Sequence, residues 1–512
     1  ARGRSSVGGR EGRFGCVWAG ECSAVAQRWR KEMQVAKRMR KLFNKGFMDR
    51  LKQRSLDRWS GKWQQSLARM VTAISNGQSF GNEVSLYVSG NQAYTEMWRA
   101  IAEAKERVWL EAYIFEPDYV GKTTLELLEQ AALRGCDVAL IFDQFGSMNL
   151  LEHHLDPLRK AGAFVVEFEP ILWRWPKSLR APLFRNHRKV LLIDENQAFC
   201  GGMNISVDYA SGAMGTGRYR DTHAQVRGPA VSHLADVLLN SAAMTTSNRH
   251  IMERLHAAQN RMEAKRRKLE AEKKQERLRK EELLQKEEGS PAEHKTPAEL
   301  ERSMACVRDT VGSQADQRKL WEASKTQMGV FIQVLESNYR KNQRQVLLAL
   351  EMTLDSAHSH CYLTSPYFVP PKRLRSAIVR AANRGVDVRI LTAGVTDVFG
   401  VSWASQHLYG VFLKNKIRLF EMVDRELHAK TVTCDGIYSM VGSYNLDRIS
   451  YKHNLEVNLT FVDPRVATEL EIHFHRDTEG LKEVTLDNWR RRDPFSKALH
   501  WLSYHIIRFI WK

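Results

Sequence analysis

His187-Arg188-Lys189-Val190-Leu191-Leu192-Ile193-Asp194, followed by Gly201-Gly202-Met203-Asn204, and His428-Ala429-Lys430-Thr431-Val432-Thr433-Cys434-Asp435, followed by Gly442-Ser443-Tyr444-Asn445, are two copies of one pattern. The His, Asp and Asn positions are each 241 residues apart (428 − 187, 435 − 194, 445 − 204). One His-x-Lys with an Asp five residues on arises readily by chance. Two copies, each trailed at the same distance by a glycine-containing turn and an Asn, indicate a duplicated domain.

The spacing carries geometry. Val190–Ile193 is a β-branched and leucine-rich run, so it reads as a strand, and side chains two apart on a strand share a face. His187 and Lys189 therefore point into one cleft, as do His428 and Lys430. Asp194 and Asp435 fall on the other parity at the strand end, where pinning a turn is the simpler role. Asn204 and Asn445, with Ser443 added in the second copy, follow a second short strand and are candidate phosphate donors. Folding the two halves face to face would collect two His, two Lys and two Asn around one pocket. Such donors and proton exchangers suit a phosphodiester, whose nonbridging oxygens gain charge in the transition state. One imidazole can attack phosphorus while the other moves the proton. No acidic cluster of metal-ligand type accompanies the motifs, so neither a metal nor a cofactor is expected.

Around this centre the chain alternates strands and helices. Strands are expected at Val84–Val88, Val108–Phe115, Val138–Phe142 and Phe164–Phe168, and helices at Tyr94–Lys105, Leu125–Ala132 and Leu155–Ala161. Ala131-Ala132-Leu133-Arg134-Gly135-Cys136-Asp137-Val138 returns as Ala381-Ala382-Asn383-Arg384-Gly385-Val386-Asp387-Val388, each copy ending a helix at a Gly before an apolar strand. The expected fold is α/β: two duplicated lobes, residues 84–245 and 325–485, each a mixed β-sheet flanked by helices, sharing one active site at their interface.

The remaining segments differ in composition. Residues 1–50 hold thirteen Lys+Arg and four acids, and such Arg-rich, acid-poor stretches read as mitochondrial transit peptides. Residues 51–83 begin with an amphipathic helical stripe from Leu51 through Trp59, Trp63 and Leu67 to Ile74. Residues 246–324 form a charged helical insertion and linker. Its 249–288 part lacks the second apolar column of a coiled coil and reads as a solvated helix, or as one that recruits a protein partner. Residues 486–512 are rich in Trp, Tyr, Phe and Ile and suit a membrane-interface helix. The formal net charge of +19 over 512 residues favours anionic partners. Seven scattered cysteines without a CxxC indicate reduced thiols.

The paired motifs resemble those of the phospholipase D superfamily, whose hallmark is HxKxxxxD used twice, over roughly residues 84–240 and 325–480. The flanks are similar to bacterial-type cardiolipin synthases: Tyr113-Ile114-Phe115, Asp143 with Gly146-Ser147, Arg185-Asn186 before His187, Arg220-Asp221-Thr222-His223, Ser365-Pro366-Tyr367-Phe368-Val369-Pro370, and Leu446-Asp447 with Asn454-Leu455-Glu456. The resemblance implies that an acid downstream of each motif holds the His ring by its second nitrogen, the matching positions being Asp221 in the first half and Glu456 in the second. It also implies His187, Lys189, Asp194, His428, Lys430 and Asp435 as the catalytic set. The expected activity is phosphatidyl transfer through a covalent phosphohistidine at a mitochondrial inner-membrane surface. The expected partners are anionic phospholipids: phosphatidylglycerol, with CDP-diacylglycerol as a possible donor. The alternative is a hydrolase or nuclease of the same superfamily. Nucleic acid is the less favoured substrate because the aromatics cluster at the chain's ends and do not interleave a basic groove. Three features depart from the family's pattern: the basic residues 1–50 where many bacterial members carry two membrane spans, the charged insertion, and Tyr219 where the family usually has Trp.

Overall fold

The computed structural model describes residues 77–168, 184–246, 248–287, 329–396 and 400–511, with residues 63, 73, 74 and 398. The basic segment 1–50, nearly all of the 51–76 stripe and the 288–328 linker lie outside the described residues. Residues 68–512 form one compact unit.

The first half contains strands β1 (Gln78–Tyr87), β2 (Arg107–Ala112), β3 (Asp137–Asp143), β4 (Phe164–Phe168), β5 (Val190–Ile193), β6 (Gln197–Gly201), β7 (Tyr219–Arg220) and β8 (His223–Arg227). Helices α1 (Gly90–Glu103), α2 (Tyr119–Leu133), α3 (Glu152–Lys160) and α4 (Ala230–Thr245) accompany them. A long helix, α5 (Arg249–Glu287), leads out of this half. The second half repeats the plan with β9 (Val330–Asn338), β10 (Gln343–Arg344), β11 (His360–Thr364), β12 (Asp387–Ala393), β13 (Arg418–Met422), β14 (Glu426–Leu427), β15 (Thr431–Cys434), β16 (Tyr438–Gly442), β17 (Glu456–Val462) and β18 (Glu483–Val484). Its helices are α6 (Gln345–Ser356), α7 (Lys372–Asn383), α8 (Val401–Lys414), α9 (Arg448–Lys452), α10 (Pro464–Thr478), α11 (Leu486–Arg490) and α12 (Pro494–Ile510).

One continuous sheet runs β4-β3-β2-β5-β6-β8-β1-β9-β17-β16-β15-β11-β12-β13-β18. The order reads nearly the same from either end about the β1–β9 seam. β2, β3 and β4 are parallel, as are β11, β12 and β13; the pairs nearer the seam are antiparallel. The face-to-face arrangement expected from the sequence is therefore replaced by an edge-to-edge one. β1 and β9 pair antiparallel, Gln78 opposite Gln333 and Ser79 opposite Ile332. Pairing two half-sheet edges satisfies backbone groups that would otherwise be left open. The seam is also packed from beneath: Leu234 and Leu238 of α4 share one apolar cluster with Val334 of β9 and with Val457, Leu459 and Phe461 of β17. At about 1.5–3 kcal/mol for each large apolar side chain buried, this core binds the halves into one unit.

β5 has all four residues buried, which explains why its sequence is uniformly apolar and not alternating. β1 begins at Gln78, six residues before the strand expected from Val84. The reading of α5 as a solvated helix is corrected for its first part, while the described side chains beyond Arg266 are exposed. Leu255, Ala258 and Met262 are buried, Lys265 pairs with Glu106 at 2.5 Å, and Arg261 pairs with Asp137. Spacings of three and four at 255, 258 and 262 give one turn-by-turn contact stripe, which is enough to dock on a domain without a coiled-coil seam. No helix among the described residues is long and apolar enough to cross a membrane.

Candidate active site

His187 and Lys189 sit on the extended segment entering β5. Asp143, fully buried at the end of β3, fixes that segment: it accepts from Asn186 N at 2.9 Å and from Arg185 Nη1 at 3.2 Å. Asn186 Nδ2 donates in turn to Glu111 Oε1 at 2.6 Å. Burial pushes the Asp143 carboxyl up, while Arg185 and the backbone N–H groups pull the other way. The segment then crosses to the second half: His187 N donates to Leu455 O at 3.0 Å, and Leu455 N donates to Arg185 O at 2.9 Å. The second motif mirrors this. β14 pairs parallel with β7, and His428 N donates to Arg220 O at 2.8 Å.

Each motif is thus laced to the residue just before the other half's acid, and the ring contacts are crosswise. His187 Nδ1 is 3.0 Å from Glu456 Oε2. His428 Nδ1 is 2.6 Å from Asp221 Oδ2. Pairing each acid with its own half's motif would be wrong. With the Nδ1 hydrogens donated to carboxylates, both rings expose Nε2 without a hydrogen bond among the described residues, which is the tautomer a nucleophile requires.

The two acids are held differently. Glu456 accepts from Ser443 Oγ at 2.5 Å, Ser450 Oγ at 2.7 Å and Asn454 Nδ2 at 3.2 Å. Asp221 accepts from Thr222 N at 2.6 Å. Gly202 gives Asp221 its space: a Cβ there would lie 2.1 Å from Asp221 Oδ1. Burial works against both carboxylates, but the facing His and Lys charges outweigh it and hold both below their usual range.

The lysines complete the site. Lys189 Nζ donates to His187 O at 2.8 Å and lies 5.0 Å from the Tyr113 ring centroid. Lys430 Nζ lies 3.0 Å from His428 Nδ1. Burial, then the Lys430 charge, lowers Lys189 from 10.5 to about 7. Burial, then Lys430, lowers His428 to about 4, and burial also lowers His187. His187 feels Lys430 and His428 feels Lys189, so the two motifs share one electrostatic environment. Lys189 and both imidazoles are all lowered by burial and by the neighbouring lysine charges, so an anionic phosphodiester beside them would favour their protonated forms.

The remaining expected site residues are placed as follows. Asp194 and Asp435 are not at the rings. Asp194 accepts backbone N–H groups of Lys105, Glu106 and Arg107, and Asp435 those of His358, Ser359 and His360. Both adopt positive φ, 51° and 55°, at the turn that ends the motif strand. They pin β5 to β2 and β15 to β11, so their inclusion in the catalytic set is corrected to a turn-pinning role. Ser443, expected to bind phosphate, commits its hydroxyl to Glu456. Asn204 donates to Tyr209 OH at 2.7 Å and accepts from Ile114 N at 3.1 Å. Asn445 is buried, its Oδ1 without a partner among the described residues.

Tyr209 and Ser450 were missed. Tyr209 OH lies 3.4 Å from His428 Nδ1, and its ring is flanked by Tyr219 at 5.0 Å. Tyr219, the departure from the family's Trp, packs 5.3 Å from the His428 ring. Tyr209 and Ser450 are 241 residues apart, five beyond Asn204 and Asn445. Extending the repeat alignment by five residues would have found both, although as different residue types.

Two half-sheets sharing a His–Lys centre across a pseudo-twofold seam define the phospholipase D-like class. Residues 97–213 and 350–478 match the family model described as "Cardiolipin synthase, PLD-like domain". The chain is similar to the "Cardiolipin synthase" of Clostridium perfringens, 25% identical over 429 residues, which cover 84% of this chain and 76% of that one. The protein of the same name from Halalkalibacterium halodurans is 27% identical over 445 residues, 86% and 75% of the two chains. In fold it resembles the crystal structure of phosphatidylserine synthase from Haemophilus influenzae, with a TM-score of 0.54 and 14% identity over 87% of this chain and 98% of that one.

Proposed function

We propose that the protein is a cardiolipin synthase that transfers a phosphatidyl group to phosphatidylglycerol through a phosphohistidine. The observation that carries this is the crosswise pair, each imidazole held at Nδ1 by the other half's carboxylate beside a buried lysine. The similarity to bacterial cardiolipin synthases selects the substrate class. One Nε2 attacks phosphorus, forming the N–P bond as the P–O bond to the departing alcohol breaks, and that alcohol takes its proton from the other imidazole. The glycerol hydroxyl of phosphatidylglycerol then returns a proton to that imidazole and attacks phosphorus, releasing the first ring. Lys189 and Lys430 stabilise the charge that develops on the nonbridging oxygens. Burial lowers the pKa of both rings in the free site, and the charge of the anionic substrate raises the imidazole pKa, so the acid takes up its proton from solvent as the substrate binds.

The test is to incubate the purified chain with phosphatidylglycerol, alone and with CDP-diacylglycerol, and to analyse the lipids. Cardiolipin is expected, with an acid-labile phosphoryl-enzyme lost in His187→Ala or His428→Ala. Phosphatidic acid alone would indicate a hydrolase, and no product with either donor would end the reading. A mitochondrial membrane is proposed from the basic residues 1–50 alone; the bacterial relatives do not bear on it. A fluorescent protein carrying residues 1–50 at its N-terminus should enter mitochondria, and a diffuse cytosolic signal would remove that assignment.

A further inference from the structure

A helix on the surface of a soluble domain turns its apolar stripe inward. α12 does the reverse. Phe495, Ala498, Leu502, Ile506 and Phe509 recur at spacings of three and four, so they form one stripe. All five are exposed, Phe495 and Phe509 by 77% and 78% and Leu502 and Ile506 by 48% each. The helix meets the domain on its other side, through buried His500 and Ile507 and the following Trp511. It is firmly attached there: the Tyr504 ring stacks on His407 of α8 with centroids 4.7 Å apart, and Arg375 Nη1 donates to Tyr504 OH at 3.3 Å.

What fits the outward face follows from its flank. Lys497, Trp501 and Arg508 are exposed beside the stripe, and no acid occurs from Pro494 to Lys512. An apolar stripe edged by an indole and cations matches the boundary between acyl chains and anionic headgroups. A second copy of the same helix would bring only like charge to that flank.

The face is also tied to the active site. Trp511 O lies 3.4 Å from His453 Nε2. His453 directly precedes Asn454, which donates to the Glu456 carboxylate that holds His187.

We propose that the outward face of α12 seats on an anionic lipid bilayer, the helix lying in the headgroup plane with Phe495, Leu502, Ile506 and Phe509 inserted, and so holds the active site at the interface. The proposal rests on the phospholipid reading above. It is tested with the full chain and phosphatidylcholine vesicles with or without phosphatidylserine, an anionic lipid that is not the proposed substrate. The wild-type chain should sediment with the anionic vesicles. Leu502→Glu/Phe509→Glu should weaken that binding by at least about tenfold. Lys497→Gln/Arg508→Gln should weaken it several-fold and flatten its salt dependence. Turnover of a dispersed short-chain phosphatidylglycerol should stay at the wild-type rate in Leu502→Glu/Phe509→Glu, which shows the fold and site intact. Unchanged vesicle binding in that variant overturns the docking. So does a lipid-free dimer that the variant dissociates, or amide protection of α12 in lipid-free protein that is lost on deleting residues 1–67. Vesicle binding lost as expected in a chain that makes no cardiolipin would leave the docking standing and remove the assigned reaction.

Discussion

Replacing Glu456 by Gln keeps the shape of the side chain and removes its charge, which isolates what the carboxylate does for His187. Glu456 Oε2 receives the His187 Nδ1 hydrogen at 3.0 Å and the Ser443 hydroxyl at 2.5 Å, while Oε1 receives Ser450 and Asn454. Every neighbour is a donor, so the Gln amide must aim its NH2 at one pair, and only the serines can turn to accept it. If its Oε1 faces His187, the ring keeps its tautomer and loses charge assistance. Hydrogen bonds to charged groups are worth about 1.5–3 kcal/mol against about 0.5–1.5 for neutral ones, a difference of about 1–2 kcal/mol. Because the Glu456 charge raises the His187 pKa against burial, its loss should drop that pKa further. The same energy lowers kcat about 5- to 30-fold, and more if the amide turns over and imposes the wrong tautomer. The assay is turnover of short-chain phosphatidylglycerol together with nitrogen NMR titration of the two imidazoles. Glu456→Gln should move His187, and Asp221→Asn should move His428. If Glu456→Gln moved His428 and spared His187, the crosswise arrangement would be refuted.

Gly202→Ala places a Cβ 2.1 Å from Asp221 Oδ1 and must push the acid off His428; activity should fall on the order of a hundredfold while a cooperative thermal transition remains, and near-wild-type turnover would contradict the close approach. Arg188 is buried and pairs with Glu336 of β9 at 2.7 Å, across the seam. Arg188→Met leaves that carboxylate without its guanidinium and should cost about 3–5 kcal/mol in urea melts, most of it regained in Arg188→Met/Glu336→Leu. Lys189 loses its proton as pH rises through about 7, whereas an unfolded chain holds it to about 10.4. Between those values the unfolded state binds the extra proton, so this group makes stability rise with pH while kcat/KM falls. Melting and kinetics measured in parallel from about pH 7 to about pH 10 check the two signs, and Lys189→Met should abolish the stability trend.

The duplication was legible because its signal is spacing: a repeat of 241 residues survives divergence of everything between the motif positions. The turn-pinning place of Asp194 and Asp435 was legible for a similar reason, since strand parity alone puts them off the face that His187 and His428 occupy. What spacing could not reveal was which half serves which ring. Asp221 follows His187 by 34 residues and Glu456 follows His428 by 28 (221 − 187, 456 − 428), so sequence proximity suggests pairing within a half. The pairing is decided by β7–β14 and by the Asn186–Leu455 bridge, contacts too short to leave a periodic pattern. Nor could composition distinguish edge-to-edge from face-to-face assembly, because β1 and β9 read as ordinary strands whichever partner they take. Ser443 shows the same limit at the level of one atom: a hydroxyl beside the motif is a plausible phosphate donor until a carboxylate 2.5 Å away claims its hydrogen.

Crosswise holding also explains why the two copies must remain one unit. A half on its own would contain a His without the carboxylate that fixes its tautomer and a buried acid without its imidazole. Leaving one member of such a pair buried and unmatched costs about 3–5 kcal/mol, a large part of a domain's net stability. The continuous sheet through β1 and β9, the α4 core beneath it and the Arg188–Glu336 pair all act at the same seam. They hold the halves at the one separation where each ring meets the other half's acid. The active site and the domain interface are therefore the same object, and a substitution that loosens the seam is expected to reach both histidines at once.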